Sequence, residues 1–303
     1  MRIGFALPQF HHQAFETDRV ADFARAVEQA GAASLWVGDR NLAAVRPRVG
    51  YGGQGDTIPS ELNAAADPFV LLGVAAAATE RVTLGSHVLI APLYPVVQLA
   101  RSLTTVDRIS GGRLLPGFGV GWSPEEYEAA GRDFTRRGAL LDELLDALEA
   151  IWTEDPVEHS GSLLSVPLHH SPLKPARKPA PPVHLGAMSE RALRRVARRG
   201  HGWLPLCVVP SYVDADALRS QRTQLDEWAR QDGREPGDID TVLRVNVDAG
   251  TSLSTVADAI KSINDVTGID HFMVDPQYEV DSVDEAIDYA RRLLALLSVD
   301  SDG

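Results

Sequence analysis

The chain has 303 residues, 44% hydrophobic and 23% charged, a composition that suits a globular fold burying roughly 75% of its unfolded surface. The formal net charge of −13 argues against a nucleic-acid-binding surface, which needs a positive footprint. The single cysteine, Cys207, excludes an internal disulfide and a multi-cysteine metal site, and suits a reducing compartment.

Short apolar runs alternate with amphipathic helices along the chain. Arg2–Leu7 reads as a strand, broken too soon by Pro8 for a signal peptide. A helix from about Thr17 carries Val20, Phe23, Ala24 and Val27 on one face and stops at Gly31. Ser34–Gly38 is a second strand, and a long Gly/Pro-containing segment follows from Asp39 to Ala66. Asp67-Pro68 opens a helix, Val82–Ile90 is a third strand, and Pro95–Ile109 a third helix. A fourth strand, Arg113 to Val120, ends in the spaced glycines Gly117, Gly119 and Gly121. Ser123, Pro124 and Glu126 then predict a helix start closed by a capping box. In the next helix Leu140, Leu141, Leu144, Leu145, Leu148, Ile151 and Trp152 face inward, with Asp142, Glu143, Asp146 and Glu149 toward water.

Val157–Val166 predicts a small hairpin turning at Ser160-Gly161, and Pro167–Pro182 an extended link. Strands then alternate with helices: Val183–Gly186, Ser189–Arg199, Gly202–Leu206, about Val213–Gln231, Thr241–Asp248, Leu253–Thr267 and Asp270–Val274. A final helix opens on a capping box from Ser282 to Glu285. No apolar run approaches the ~18 residues a membrane span requires. About eight strands, nearly each followed by a helix, predict one α/β domain over residues 1–303: a (β/α)8 TIM barrel with a long loop after strand two and a hairpin insertion before strand five. The rival doubly wound sheet wants Gly-x-Gly-x-x-Gly after the first strand, where the chain has Leu7-Pro8-Gln9-Phe10 instead.

In a barrel, function gathers where strands end. The candidates are His11 and His12 after strand one, Asp39 and Arg40 after strand two, His87-Val88 in strand three, Gly119-Val120-Gly121-Trp122 after strand four and Gly186-Ala187-Met188-Ser189 after strand five. The last two turns can offer free main-chain N–H groups to an anion, which points to a phosphate-bearing ligand. Arg191, Arg194, Arg195, Arg198 and Arg199 flank the second turn, most of them as a solvated helix face. A lone histidine in an apolar strand, such as His87, is more often a satisfied core residue than a catalyst. His11-His12 and His169-His170 are weak metal ligands because adjacent side chains diverge in extended chain, and no His-Glu-x-x-His or carboxylate cluster appears, so no metal is expected. Composition, periodicity and spacing stop there, short of a reaction.

Three segments resemble the bacterial luciferase-like monooxygenase superfamily, and within it the oxidoreductases that use the deazaflavin coenzyme F420. They are Ala30–Asp39, Ser110–Trp122, and Pro182–Ser189 with the downstream Gly200-His201-Gly202-Trp203. The resemblance implies a barrel with a cofactor ring in its mouth and the cofactor phosphate on Gly119–Trp122 and Gly186–Ser189. It implies a non-proline cis peptide at His87-Val88 against the ring, and Asp39 as a ring-contacting acid. Two departures matter. Arg40 stands where the sugar-phosphate dehydrogenases of the superfamily carry histidine, and Trp122 where they carry glutamate, so their proton-transfer pair is missing. Ala187 and Met188 also occupy positions where glycine is common. The expectation is hydride transfer between the deazaflavin and a hydrophobic small-molecule substrate. Asp39 and Arg40 would lie near the reacting ring, His11, His12 or His87 would relay protons, and the Asp39–Ala66 segment, with Tyr51–Gly55, would form a substrate lid. The alternatives are a reduced-FMN monooxygenase and a cofactor-binding protein without catalysis. A cytoplasmic homodimer is expected.

Overall fold

Parallel pairing organises the chain, whose computed structural model describes residues 1–53 and 55–298. Gln54 of the expected lid, and residues 299–303 of the expected domain, lie outside the described residues. The strands are β1 (Arg2–Ala6), β2 (Ser34–Val37), β3 (Thr83–Ser86), β4 (Leu89–Ile90), β5 (Leu114–Leu115), β6 (Gly117–Gly119), β7 (Val157–Ser160), β8 (Ser165–His169), β9 (His184–Gly186), β10 (Gly202–Leu204), β11 (Leu206–Val209), β12 (Asp240–Val247) and β13 (His271–Asp275). β1 lies between β2 and β13, and β2 pairs with β3. β3 pairs with β5, β4 with β6, and β6 with β9. β9 pairs with β10, β10 and β11 with β12, and β12 with β13. All of these pairs are parallel, giving a curled parallel sheet of the α/β class. β7 and β8 pair antiparallel, as a separate hairpin between the helix at 137–153 and β9.

Three strands expected to be continuous are interrupted. Val82–Ile90 breaks at His87-Val88, where the peptide bond is cis. Arg113–Val120 breaks at Pro116 and the β10–β11 run at Pro205, since proline has no N–H to give the ladder. The helices are α1 (Val20–Gln29), α2 (Pro68–Ala78), α3 (Val96–Ile109), α4 (Pro124–Ala129), α5 (Arg137–Thr153), α6 (Glu190–Arg199), α7 (Ala215–Gln231), α8 (Leu253–Thr267) and α9 (Val283–Ser298). Neighbours pack in sequence, and α9 returns to α1. No helix among the described residues is long and apolar enough to cross a membrane.

The core has two parts. A large cluster fills the space between helices and sheet. A smaller one fills the sheet's concave side with Trp36, Leu115, Leu204, Val242 and Met273, contributed by β2, β5, β10, β12 and β13. Trp36 is fully buried, a contribution on the order of 5 kcal/mol from area alone. Its ring requires Gly85 across the pair: a Cβ there would lie 2.2 Å from Trp36. This apolar layer forms the floor beneath the strand ends.

Local signals mostly behave as read. Asp67 caps α2 by accepting from the amides of Phe69 and Val70, each at 2.9 Å. Ser282 accepts from the Glu285 amide at 3.2 Å, while the Glu285 carboxylate turns to the Asp281 amide at 2.8 Å. The Ser123–Glu126 box does not form: Ser123 donates to Glu125, and Glu126 serves another partner described below. Nor are all the acids of α5 left to water. Asp142 holds Arg195 of α6 at 2.6 Å, and Glu143 accepts from the amides of Ser162, Leu163 and Leu164 in the β7–β8 turn.

Candidate functional site

The two glycine-bearing turns leave adjacent strands on the same side of the sheet, because Gly117 and Phe118 of β6 register with His184 and Leu185 of β9. Their glycines are explained differently from the expectation of bare backbone. A Cβ at Gly119 would lie 2.5 Å from Val88 Cγ2, and one at Gly186 would lie 3.1 Å from Val88 Cγ1. Both make room for Val88, which projects at the break between β3 and β4. Gly121 is needed for its backbone, with φ at +66°. Beyond these glycines the amides of Gly121, Trp122 and Met188 donate to no protein acceptor among the described residues. Ala187 is buried and its carbonyl accepts from the Trp203 indole at 3.0 Å; Met188 and Ser189 are exposed. Ser189 caps α6 through the Ala192 amide. Of the flanking arginines, Arg194, Arg195 and Arg199 are in ion pairs with Glu190, Asp142 and Asp146.

Asp39 follows β2 and reaches the same region. Its carboxylate accepts from the Ile90 amide at 2.8 Å and from the Tyr94 hydroxyl at 2.8 and 2.9 Å. Burial pushes its pKa up to about 7, with Glu126 and Asp67 adding to the rise against those two donors. Burial also drives Tyr94 far upward, so its hydroxyl stays protonated and donates to the carboxylate.

Arg40 turns its side chain inward, 4% exposed, against Glu126 at 3.6 Å. Its guanidinium carbon lies 4.5 Å from the centre of the Trp122 ring, so the two residues that replace the expected proton-transfer pair stack on each other. Glu126 is taken from the capping box by this cation and by the Asn41 amide at 2.8 Å. Burial pulls the pKa of Arg40 down and Glu126 opposes it. Its Nε and Nη2 have no hydrogen-bond partner among the described residues. Tyr51 of the long segment meets Trp122 edge-on at 5.7 Å, which places that part of the segment over the stack.

Sequence reasoning missed Arg244. On β12 it donates from Nη1 to the His87 carbonyl at 2.9 Å and from Nε to Asn246 at 2.7 Å, and it pairs with Asp275 of β13. The available signal was two polar residues at period two, Arg244 and Asn246, inside an apolar strand. This triad fixes the carbonyl side of the His87-Val88 bond. His87 itself is buried; its Nε2 lies 3.2 Å from the Pro205 carbonyl and therefore carries the proton. Burial, with Arg244 nearby, pulls its pKa down to about 3. His87 is therefore neutral at physiological pH, with its Nε2 proton engaged by the Pro205 carbonyl.

His11 and His12 stand on a 3-10 turn, His11–Phe15, rather than on extended chain. Their rings lie side by side, centroids 4.0 Å apart, and His11 Nε2 is 3.6 Å from Asp281. No hydrogen bond, ion pair or ring contact among the described residues joins either of them to Asp39 or Arg40. The premise that adjacent side chains diverge does not hold at this position.

A family model described as luciferase-like monooxygenase matches residues 1–295. The chain is 28% identical over 270 residues to the phthiodiolone/phenolphthiodiolone dimycocerosates ketoreductase of Mycobacterium tuberculosis, covering 87% of this chain and 69% of that protein. Among solved structures it resembles the monooxygenase RslO1 from Streptomyces bottropensis, with TM-score 0.77, 18% identity and coverage of 99% and 98% of the two chains. It also resembles an F420-dependent secondary alcohol dehydrogenase in complex with an F420-acetone adduct, with TM-score 0.75, 15% identity and 98% of each chain covered.

Proposed function

The chain belongs to the luciferase-like monooxygenase family, and we propose that it is an F420-dependent oxidoreductase that interconverts a carbonyl and an alcohol on a hydrophobic organic substrate. We read the curled sheet as a (β/α)8 barrel whose third, fourth and sixth strands are each broken in two. The reading rests on one observation: a buried guanidinium with two nitrogens unpartnered among the described residues stands in the same strand-end region as a carboxyl raised to about 7. Carbonyl reduction can use both, a cation to stabilise the developing oxyanion and an acid to protonate it.

Amides unpartnered among the described residues on adjacent turns would hold an anionic cofactor tail at Gly119–Trp122 and Gly186–Ser189, and Val88, projecting between those turns, would support its ring. When bound, the deazaflavin supplies or accepts the hydride. Arg40 holds the substrate oxygen through Nε and Nη2. Asp39 holds the proton that this oxygen takes up, and returns to its acid form from solvent. Trp122 and Tyr51 exclude water from the stack. His11 and His12 have no part in this scheme. Two of the chain's relatives support it by their printed activities, a ketoreductase and an alcohol dehydrogenase.

Titration of the protein with F420 and with FMN, followed by fluorescence, tests the cofactor. Quenching of the deazaflavin with turnover of ketones or secondary alcohols is the expected result. Tight FMN binding without deazaflavin quenching would transfer the chain to the oxygen-activating monooxygenases, the second reading that RslO1 favours. Stoichiometric deazaflavin binding without turnover across ketones, enones and imines would make it a carrier. Association as a homodimer belongs to the same proposal. α2 carries no charged residue, and Val70 on α2 and Val97 on α3 are 62% and 44% exposed. Sedimentation velocity measures it.

A further inference from the structure

The connections that follow the first and the last strand of the sheet meet at one rim. His11, His12 and Asp281 place one ligand atom each within 4.8 Å of one another, across 269 positions or more of sequence between the histidines and the acid. We propose that these three side chains bind a divalent transition cation of the zinc class, independently of the F420 reading.

Three features support it. First, His11 is a non-glycine residue in the left-handed region, with φ at 55°, and this conformation is what brings its ring alongside that of His12. Second, the trio is held from behind. Gln13 donates to the Val280 carbonyl at 3.0 Å, fixing the first connection against the last. Glu285 takes the Asp281 amide, so Asp281 is anchored by its backbone and its carboxylate has His11 as its sole side-chain partner among the described residues. Third, the ligand chemistry is selective. Two imidazoles and one carboxylate suit zinc-class ions rather than magnesium or calcium, which prefer all-oxygen sets. Zinc–nitrogen bonds of about 2.1 Å put tetrahedral ligand atoms about 3.4 Å apart, so closure requires small rotations of His12 and Asp281, both exposed and free to make them. Solvent supplies the fourth position. The ion would tie the connection after the first strand to the connection after the last.

Chelator-treated protein titrated with zinc chloride by isothermal calorimetry tests the proposal. One equivalent should bind and raise Tm, with no comparable response to magnesium. His12→Gln and Asp281→Asn alter exposed side chains, so both variants should fold, and each should weaken zinc binding by at least about tenfold. Absence of binding to the wild type, or equal binding by the wild type and both variants, would overturn the site. Cys207 does not compete: it is buried and its thiol is pushed up to about 12.

Discussion

Asp39→Asn converts the raised carboxyl into a measurable stability difference. In the folded chain Asp39 has a pKa of about 7 against an ordinary 3.8, so between about pH 4 and pH 7 the folded state holds a proton that the unfolded chain has lost. Stability from this group therefore falls as pH rises through that window and is flat above it. From pH 5 to pH 8 the fall spans about two units, worth about 3 kcal/mol at ~1.4 kcal/mol per unit. Asparagine keeps the geometry: its oxygen can accept from the Ile90 amide and its nitrogen can donate to the Tyr94 hydroxyl oxygen. The variant should lack the pH-dependent loss. Melting temperatures of both proteins at pH 5 and pH 8 form a cycle in which other titrating groups cancel. The wild type should lose about 5 °C more than the variant over that range. Parallel pH profiles would refute the claim that burial governs this carboxyl.

Tyr94→Phe removes a donor to the Asp39 carboxylate, so the Asp39 pKa should rise further and the alkaline limb of kcat for carbonyl reduction should move to higher pH. An unmoved limb would assign the proton to another group. Gly119→Ala should cost about 1–3 kcal/mol by collision with Val88, measured by chemical denaturation, and most of that cost should vanish in a Val88→Ala background. Equal cost in both backgrounds would mean that Gly119 is required for some other reason. Ser189→Asp keeps an N-cap at α6, so Tm should hold, while affinity for the phosphate-bearing cofactor should fall at least about tenfold, or 1.4 kcal/mol. Undiminished affinity would place the phosphate elsewhere.

Periodicity and punctuation in the sequence by themselves determined the alternation of strands and helices, because apolar period and helix caps are local properties. Asp67 before Pro68 starts a helix wherever that helix packs, and the glycines of Ser110–Trp122 mark a strand ending in a turn. The family motifs likewise lie on contiguous residues, so the turns at 119–122 and 186–189 could be named in advance. What only the tertiary structure decided is which side chains share a space. Glu126 reads as a capping residue and instead pairs with Arg40, 86 positions earlier, and accepts from the neighbouring Asn41 amide, because the fold buries that cation beside it. Gly119 and Gly186 are small for Val88, a neighbour on a different strand. Arg244 reaches the His87 carbonyl from 157 positions away. His11 meets Asp281 because β1 and β13 pair, a consequence of the sheet curling back on its own first strand. Charges and close contacts depend on distance in space, and chain order alone carries no measure of it.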